Sequence, residues 1–230
     1  MSCLAERKLL ITSGPTRAPL DAVRYLTNKS SGRLGSMMAL EALRHGARVT
    51  FVYGKDSAKP AACGVDPGAA GRLKLIEVET VRDLVECVNR ELPGDYDALI
   101  HAMAVLDFAP AQSAAQKTSS DLTEWVVRLV PTPKVIKLMR ELAPGALLVG
   151  FKLEYGHTPE EGIAIAHQWL QRSGADLVLA NDLAEIERGH HIGRLVTSAG
   201  KVLWTVEGKQ AIARRIIETV ASRLQKAATD

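Results

Sequence analysis

The sequence has few cysteines, few aromatic side chains and little net charge. It holds 3 cysteines among 230 residues, and aromatic residues make up 4% of it. The cysteines (Cys3, Cys63 and Cys87) are odd in number and widely spaced, so they predict neither a disulfide framework nor a zinc site, and a reducing, cytoplasmic compartment is expected. The formal net charge of +3 is too small to predict a nucleic-acid-binding surface.

Long apolar runs are missing too. None approaches the ~18 residues of a membrane-spanning helix, so no membrane association is expected. The first eight residues carry one acidic and two basic side chains before a β-type run, which is not the pattern of a signal peptide. A hydrophobic fraction of 47% excludes intrinsic disorder, and the length allows one large domain or two small ones.

Short β-type runs alternate with helical patterns along the chain. This alternation predicts one α/β domain over residues 1–230, with a mainly parallel sheet, helices on both faces and an antiparallel edge hairpin. Long loops are predicted at Lys55–Arg72 and Asp107–Asp121. The predicted strands are Lys8–Thr12, Arg48–Tyr53, Leu73–Val78, Ala98–Val105, Glu124–Val130, Ala146–Phe151, Leu177–Ala180, Ile192–Thr197 and Lys201–Val206, and the predicted helices are Leu34–His45, Val81–Leu92, Pro133–Leu142, Pro159–Arg172 and about Lys209–Lys226.

The loop after the first strand, Ser13–Arg17, is the first candidate for a ligand site. Ligands of open α/β sheets bind beyond the carboxyl ends of the strands, where this loop must lie. It contains neither the G-x-G-x-x-G dinucleotide fingerprint nor a Walker A motif. An ordinary turn and a ligand-binding loop remain equally open.

The segment Arg24–Arg33 leads into the first predicted helix. Ser30 and Ser31 are good N-cap residues, and a helix N-terminus with hydroxyls and a glycine attracts anions. Asn28 both donates and accepts hydrogen bonds, which suits the orientation of a carboxylate or acyl group. The alternative is a capped helix with a solvated charged face. Residues Pro15–Gly35 hold four basic and one acidic side chain, a surplus equal to that of the whole chain: Arg17, Arg24, Lys29 and Arg33 against Asp21.

Polar side chains also follow the later predicted strands. Asp107 is either a magnesium or ribose ligand or a solvated strand end, and Lys117 lies in the following loop, where a lysine over a phosphate would stabilise developing charge. Thr132–Ile136 begins a helix, so its N–H groups are available to a base or a phosphate. Phe151 either faces a nucleotide base or packs in the core. Asn181 and Asp182 are open to a turn-forming role, and the pair His190 and His191 is interpreted as structural.

At this point the motifs resemble those of the phosphopantothenoylcysteine synthetases. The run GPTRAPLDAVRYLTNKSSGRLG resembles the signature of that family, and HAMAVLDFAP, QKTSS, PTPKVI, LVGFKLE and ADLVLAND follow in the expected order. The resemblance extends from about Leu9 to Ala221 and is closest to the free-standing bacterial form. It implies a Rossmann-like three-layer fold.

The resemblance also implies a reaction and its partners. The carboxylate of 4′-phosphopantothenate attacks the α-phosphate of CTP to give an acyl-cytidylate and pyrophosphate, with Mg²⁺ present. The amine of L-cysteine then displaces CMP. Family members form homodimers, so one is expected here, with a separate flavin-dependent decarboxylase as the next pathway enzyme.

Site residues follow from the resemblance by motif position. Asn28, Arg24 and Lys117 match catalytic residues, with Asn28 handling the acyl-cytidylate, Arg24 acting in the second half-reaction and Lys117 lying on a mobile flap. Asp107 matches the aspartate at the nucleotide and the magnesium ion. The other implied nucleotide-binding residues are Gly14, Ser30, Ser31, Gly32, His101, Ala102, Met103, Pro133, Lys134, Val135, Ile136, Phe151 and Arg172, and the implied substrate-binding residues are Arg17, Arg24, Asn28 and Ala104.

The chain departs from the family pattern at three places. Met103-Ala104-Val105 is bulkier than the usual Ala-Ala-Val, and Glu207-Gly208-Lys209 lacks the usual serine. Where fused bacterial enzymes place triphosphate-binding lysines, the segment His167–Arg172 offers only Arg172, which leaves the choice between CTP and ATP open. Two alternatives therefore stay in view: a non-catalytic nucleotide-binding protein of the same fold, and a dehydrogenase, against which the missing G-x-G-x-x-G counts.

Overall fold

A parallel β-sheet forms the centre of the protein. The computed structural model describes residues 3–61 and 65–227, so Cys63 lies outside the described residues. The strands in chain order are β1 (Lys8–Ser13), β2 (Arg17–Pro19), β3 (Tyr25–Thr27), β4 (Arg48–Gly54), β5 (Leu73–Val78), β6 (Ala98–His101), β7 (Phe108–Pro110), β8 (Leu129–Pro131), β9 (Leu147–Glu154), β10 (Leu177–Asp182), β11 (Ile192–Thr197) and β12 (Val202–Glu207). The described residues form an eight-stranded sheet of order β12-β11-β10-β9-β6-β1-β4-β5. Its strands run parallel from β5 to β10, and the hairpin β11–β12 adds an antiparallel edge.

Helices cover both faces of this sheet. They are α1 (Arg33–Arg44), α2 (Val81–Glu91), α3 (Val135–Leu142), α4 (Pro159–Ser173), α5 (Leu183–Glu187) and α6 (Lys209–Lys226), with a short 3₁₀ helix at Ala69–Arg72. Helices α1 and α6 pack on one face, and α2 and α3 pack on the other. This arrangement confirms the predicted α/β, Rossmann-like three-layer fold. No helix within the described part of the chain has the length and apolar character needed to span a membrane.

Alternation along the central strands explains why they read as continuous apolar runs. In β1, Leu9 and Ile11 point to the α1 and α6 face, whereas Leu10 points to the α2 and α3 face. All three side chains are fully buried. Successive side chains of a strand point to opposite faces, so a parallel strand covered on both sides needs apolar residues at every position.

Two predicted strands are shorter in the structure. The predicted strand Ala98–Val105 ends at His101 as β6, because Met103 and Leu106 turn into the α2 and α3 core instead of continuing the main sheet. The predicted strand Glu124–Val130 is reduced to β8, which pairs antiparallel with β7. That pairing also places a short strand inside the predicted loop Asp107–Asp121. The hairpin β2–β3 was not predicted.

Helix starts are the second point of difference. Gly32, not Ser30 or Ser31, occupies the N-cap of α1, with a left-handed φ of 72° and no side-chain cap. Helix α3 begins at Val135 with Lys134 at its N-cap, so the prediction that Pro133 lies in the first turn is wrong. The Thr132 hydroxyl donates to the Leu106 carbonyl, which holds the preceding segment extended.

The far edge of the sheet is closed by local caps. The Asp182 carboxylate accepts hydrogen bonds from the N–H groups of Ala184 and Glu185 at the start of α5, which supports the turn-forming interpretation of this residue. His190 Nδ1 lies 2.8 Å from Glu207 Oε1, and burial, with the Lys209 charge, lowers the pKa of His191. His191 is therefore partly packed in this edge, whereas His190 is an exposed partner of Glu207.

Candidate functional site

The strand order reverses between β1 and β6. The chain leaves β1 towards β4 on one side and leaves β6 towards β9 on the other, so a crevice opens between the carboxyl ends of these two neighbouring strands. Their pairing continues past both strand ends, because the Ala104 N–H donates to the Gly14 carbonyl at 2.8 Å and the Thr16 N–H donates to the Ala104 carbonyl at 3.2 Å. The structure thus brings the predicted loops after both strands to one place.

Glycines let three loops meet at the start of α1. Gly14 and Gly32 both have positive φ, 78° and 72°, a conformation that only glycine adopts easily. A Cβ on Gly14 would lie 2.4 Å from Ser57 Oγ, and one on Gly32 would lie 3.3 Å from the Gly14 Cα. The chain after β1, the start of α1 and the turn after β4 therefore touch through bare backbone. The first-turn N–H groups of α1 face this junction with no intrahelical partner, as at any helix start, which suits an anion.

Asn28 links the hairpin β2–β3 to the chain after β6. Its side-chain amide donates to the carbonyls of Ala104 at 3.1 Å and Val105 at 3.3 Å. Both acceptors are backbone oxygens, which fixes the amide nitrogen toward them. The amide oxygen is turned the other way and is available as an acceptor. Asn28 and Ala104, predicted as substrate-binding residues, are thus in contact.

A cleft of about 370 Å³ opens beside Asn28. Its lining includes Pro15, Arg17, Asn28, Lys29, Ser30, Ser31, Lys55 and Ser57. Arg17 lies in a charge-balanced set: it pairs with Asp56 at 3.0 Å and Glu79 at 3.8 Å, while Lys55 pairs with Glu79 at 3.0 Å. The Arg17 guanidinium also stacks 4.3 Å from the centre of the Tyr25 ring. The local surplus of positive charge predicted from residues Pro15–Gly35 is therefore partly neutralised by carboxylates from other elements.

Lys117 lies on an exposed loop that is attached to the same hairpin. The Thr118 N–H donates to Asp21 Oδ2 at 3.1 Å, and the Ala114 N–H donates to the Leu20 carbonyl at 3.0 Å. The Arg24 guanidinium also pairs with Asp21 Oδ2, at 3.1 Å. These contacts bring Arg24 and the loop that carries Lys117 together at the turn of the hairpin β2–β3, whereas the cleft beside Asn28 is lined by neither residue.

His101 and Phe151 are packed side chains at the ends of their strands. His101 is buried with its Nδ1 2.7 Å from the Thr12 hydroxyl, and burial lowers its pKa to about 4, so the imidazole is neutral at physiological pH. Phe151 is half-buried against the α1 and α6 core. The Ala102 N–H beside His101 donates to the Thr12 carbonyl at 3.0 Å.

This arrangement matches a known family. A model of the DNA/pantothenate metabolism flavoprotein C-terminal domain matches residues 4–224. The chain belongs to this family. The resemblance predicted from the motifs is thereby confirmed.

Two CoaBC relatives of this chain are longer than the chain itself. The chain is 41% identical over 181 residues to the coenzyme A biosynthesis bifunctional protein CoaBC of Thermococcus kodakarensis, covering 78% of this chain and 42% of that protein. It is 32% identical over 232 residues to CoaBC of Mycobacterium tuberculosis, covering 96% of this chain and 53% of that protein. The chain thus spans about half the length of these relatives. The crystal structure of the DNA/pantothenate metabolism flavoprotein from Streptococcus pneumoniae superposes with a TM-score of 0.83 at 30% identity, covering 95% of this chain and all (100%) of the other.

Asp107 lies at the site but already has a partner. Its exposed carboxylate pairs with the Lys134 ammonium, another predicted nucleotide-binding residue at the start of α3. Within residues 3–61 and 65–227, no group of three or more His, Cys, Asp or Glu side chains could hold a metal. Mg²⁺ often takes only one or two protein carboxylates together with substrate phosphates and waters. The residues present therefore fit a Mg²⁺ ion that arrives with a triphosphate, for which Asp107 would supply one ligand.

Arg172 lies away from the crevice, and the side chains of the predicted nucleotide-binding residues Met103, Val135 and Ile136 are buried in the α2 and α3 core instead. Arg172 is exposed in the last turn of α4, which ends at Ser173, shortly before β10 begins at Leu177. Helix α4 follows the carboxyl end of β9 and returns to the amino end of β10, so Arg172 lies at the opposite end of the sheet. In the same segment, Trp169 is packed against Gly150, where a Cβ would lie 2.4 Å from the indole ring.

The sequence alone missed Asp21 and Ser57. In the sequence, Asp21 was interpreted only as one negative charge in a basic segment. Its position three residues before Arg24 is a signal for an Asx turn. The structure contains that turn, in which the Val23 N–H donates to the Asp21 carboxylate at 2.9 Å. Burial alone would raise the pKa of Asp21, but the N–H groups of Val23, Thr118 and Arg24 and the Arg24 charge hold it below its ordinary value. Ser57 carries no comparable signal, because its contacts with Gly14 and Gly32 exist only in the folded chain.

A second cavity, of about 380 Å³, lies at the amino ends of the strands and is lined in part by Lys8, Arg48, Lys74 and Glu91. Lys74 pairs there with Glu91 at 2.6 Å, and Arg48 pairs with Glu6 at 3.1 Å. This cavity lies at the opposite end of the strands from the crevice, and ligands of open α/β sheets bind beyond the carboxyl ends, so we assign the site to the carboxyl edge.

Proposed function

We propose that this chain is a ligase that joins 4′-phosphopantothenate to L-cysteine with CTP, releasing CMP and pyrophosphate. The observation that carries this proposal is the cleft that Asn28 forms with the loop after β1 and the segment leading into α1, on the same hairpin whose turn joins Arg24 to the Lys117 loop. The names of the CoaBC relatives, which place them in coenzyme A biosynthesis, support it. Phosphoryl and acyl transfer between anions depend mainly on positioning and on fixed positive charge, and this edge of the sheet offers both.

In the first step, a carboxylate oxygen of 4′-phosphopantothenate attacks the α-phosphorus of CTP. A P–O bond forms as the bond to pyrophosphate breaks, and the product is an acyl-cytidylate. The α1 N-terminus and the glycine junction at Gly14 and Gly32 would hold phosphate oxygens, while Lys117 stabilises the charge that develops. A Mg²⁺ ion bound with the triphosphate would supply further charge neutralisation beside Asp107.

In the second step, the amine of L-cysteine attacks the acyl carbonyl carbon and CMP leaves. A C–N bond forms, the C–O bond to the nucleotide breaks, and the amine loses a proton. The amide oxygen of Asn28, whose nitrogen donates to the Ala104 and Val105 carbonyls, would accept a hydrogen bond from the attacking amine and so orient it toward the acyl carbon. Arg24, held by Asp21, would bind the anionic leaving group.

The proposal is tested by measuring CMP release from 4′-phosphopantothenate, L-cysteine, Mg²⁺ and CTP, with ATP, GTP and UTP in parallel. Lys117→Ala should lower kcat by about 10²–10³, as removal of one transition-state charge partner typically does. Lys201→Ala is the matched control, because this exposed lysine lies in the β11–β12 turn at the other end of the sheet. The proposal is wrong if no nucleotide yields its monophosphate.

Asn28→Asp should stop the reaction after the acyl-cytidylate forms. The variant places a carboxylate oxygen against the carbonyls of Ala104 and Val105, 3.1 Å and 3.3 Å away from the present amide nitrogen, so two donated hydrogen bonds become repulsions. The new charge also opposes an anionic intermediate. The acyl-cytidylate should accumulate and be seen by mass spectrometry after a quench, and wild-type turnover would contradict the role of Asn28.

A non-catalytic nucleotide-binding protein is the second candidate. The position of Arg172, at the far end of the sheet, favours it because this removes one expected cation from the triphosphate. This candidate predicts CTP binding in calorimetry with no CMP release, and it predicts that Lys117→Ala changes neither result. The four-nucleotide assay therefore separates the two.

We also propose that the chain acts as a homodimer in the cytoplasm, with a flavin-dependent decarboxylase consuming its product. Exposed apolar side chains cluster on the hairpins and the loop between β7 and β8: Val23, Tyr25, Phe108, Trp125, Val126 and Leu129. Such a patch supports a protein contact, and light scattering on the purified chain would measure the mass.

The free thiols of Cys3 and Cys87 agree with a reducing compartment.

A further inference from the structure

Asp21 is a buried carboxylate placed between two parts of the candidate site. Its side chain is 0% exposed. Among the described residues it accepts hydrogen bonds from four donors: the N–H groups of Val23 at 2.9 Å, Arg24 at 2.8 Å and Thr118 at 3.1 Å, and the Arg24 guanidinium at 3.1 Å. A buried carboxylate with this many donors is fixed in place, because each hydrogen bond to a charged group is strong in a poorly hydrated position.

Three of these bonds lie within the turn of the β2–β3 hairpin, and the fourth comes from the loop that carries Lys117. Thr118 is the next residue after Lys117 in the chain. Residues 111–117 are exposed, so they contribute little burial to hold the loop. The hydrogen bond from the Thr118 N–H to the Asp21 carboxylate therefore attaches the loop to a charged group directly beside Lys117.

Arg24 is held by the same carboxylate and by the same loop. Besides its pair with Asp21, its guanidinium lies 3.5 Å from the Thr118 carbonyl and 5.1 Å from the centre of the Trp125 ring. If the loop detaches from the hairpin, Arg24 loses its contacts with the Thr118 carbonyl and the Trp125 ring. The placements of Arg24 and Lys117 are thus coupled through Asp21.

We propose that Asp21 is a positioning residue that docks the Lys117 loop onto the hairpin and orients Arg24 at the same time. This rests on the proposed function for its role in the reaction, but the docking itself does not. A single carboxylate would then assemble the two cationic residues assigned to the two steps.

Docking is tested by chymotrypsin cleavage after Trp125, which requires no activity. Asp21→Asn removes the charge, and Thr118→Pro removes the donor N–H while leaving the Asp21 and Arg24 side chains intact, although it also fixes φ at residue 118 and restricts the backbone of Lys117. Thr118→Ala keeps that N–H, and Ser120→Pro adds a proline nearby without removing it, so these two are matched controls. We expect cleavage to accelerate at least about tenfold in the first two variants, the loss expected for a hydrogen bond to a charged group, and to stay within about twofold of wild type in both controls.

The catalytic part is tested by CMP release from the same four variants. Asp21→Asn and Thr118→Pro should lower kcat at least about tenfold while the KM for CTP changes less than about twofold. Because loss of folded enzyme alone would also lower the apparent kcat at constant KM, kcat is calculated per folded molecule, with the folded fraction of each variant measured by circular dichroism. Wild-type cleavage rates in Thr118→Pro would overturn the docking role. Faster cleavage with unchanged kcat would overturn the positioning role. If the wild-type chain releases no CMP, the proposed function fails while the cleavage result still decides docking.

Discussion

His101 should make the stability of this protein depend on pH well above the range of its carboxylates. The imidazole is buried between β1 and β9, and burial lowers its pKa from 6.5 to about 4. Below pH 6.5 the unfolded chain binds a proton at this histidine, whereas the folded chain does not until the pH reaches about 4. The free energy of unfolding therefore falls as the pH drops through this window.

The size of the effect follows from the shift. Each unit of pKa difference between the folded and unfolded states is worth about 1.4 kcal/mol. A shift of roughly 2.5 units, from 6.5 to about 4, corresponds to about 3 kcal/mol in total, and about 2 kcal/mol of that should be lost by about pH 5. This is a large part of the 5–15 kcal/mol typical of folded domains.

The assay is urea unfolding followed by tryptophan fluorescence, from about pH 7.5 to about pH 4.5. His101→Gln keeps a polar group near the Thr12 hydroxyl but removes the titration, so the wild type should lose about 2 kcal/mol more than the variant between about pH 7 and about pH 5. Asp21 and Asp182 have pKa values lowered below 3.8 and titrate below this window.

A second histidine serves as the control. The pKa of His191 is also lowered by burial and by Lys209, so His191→Gln shows how much of the wild-type slope comes from elsewhere. If the wild-type and His101→Gln curves are parallel from about pH 7 to about pH 5, the imidazole is hydrated or already charged. Burial would then not lower the pKa of His101.

Two further predictions concern local packing and capping. Gly35→Ala should destabilise the fold by about 1–3 kcal/mol, because its Cβ would lie 2.1 Å from Ser13 Oγ. Gly162→Ala should stabilise the fold by about 0.5–1 kcal/mol, because no atom lies within 4 Å of the added carbon. Thermal unfolding compares the two variants. Thr80→Ala should cost about 1 kcal/mol in denaturant unfolding, since the Thr80 hydroxyl accepts from the Asp83 N–H in the capping box of α2. Equal effects for the two glycine variants, or no effect of Thr80→Ala, would contradict these accounts.

Periodicity located the main elements well. The predicted strand Leu73–Val78 has the same bounds as β5, and the helix predicted at about Lys209–Lys226 has those of α6. These elements bury one face or both against the core, so their apolar spacing is dictated by the geometry of strand and helix. The hairpin between Thr197 and Lys201 was predicted from its glycine-containing turn, which separates two β-type runs.

Short and irregular elements were not located. The hairpin β2–β3 and the pair β7–β8 have three residues in each strand, too few for a period to show. Gly32 took the cap of α1 instead of Ser30 or Ser31 because this position has a left-handed φ of 72° and a Cβ there would lie 3.1 Å from the Ser57 Cβ and 3.3 Å from the Gly14 Cα. Such contacts join residues distant in sequence and leave no local signal.

The sequence by itself determined the class of fold, the edge of the sheet that carries the candidate site, and the family motifs, because each depends on spacing along the chain. Tertiary structure alone decided which charged groups meet. It paired Arg17 with Asp56 and Lys134 with Asp107, and it carried Arg172 to the far end. It also turned Asp21 from one counter-charge in a basic segment into a buried acceptor shared by Arg24 and the Lys117 loop. The strength of a charge depends on burial and on partners, and both arise only when distant segments fold together.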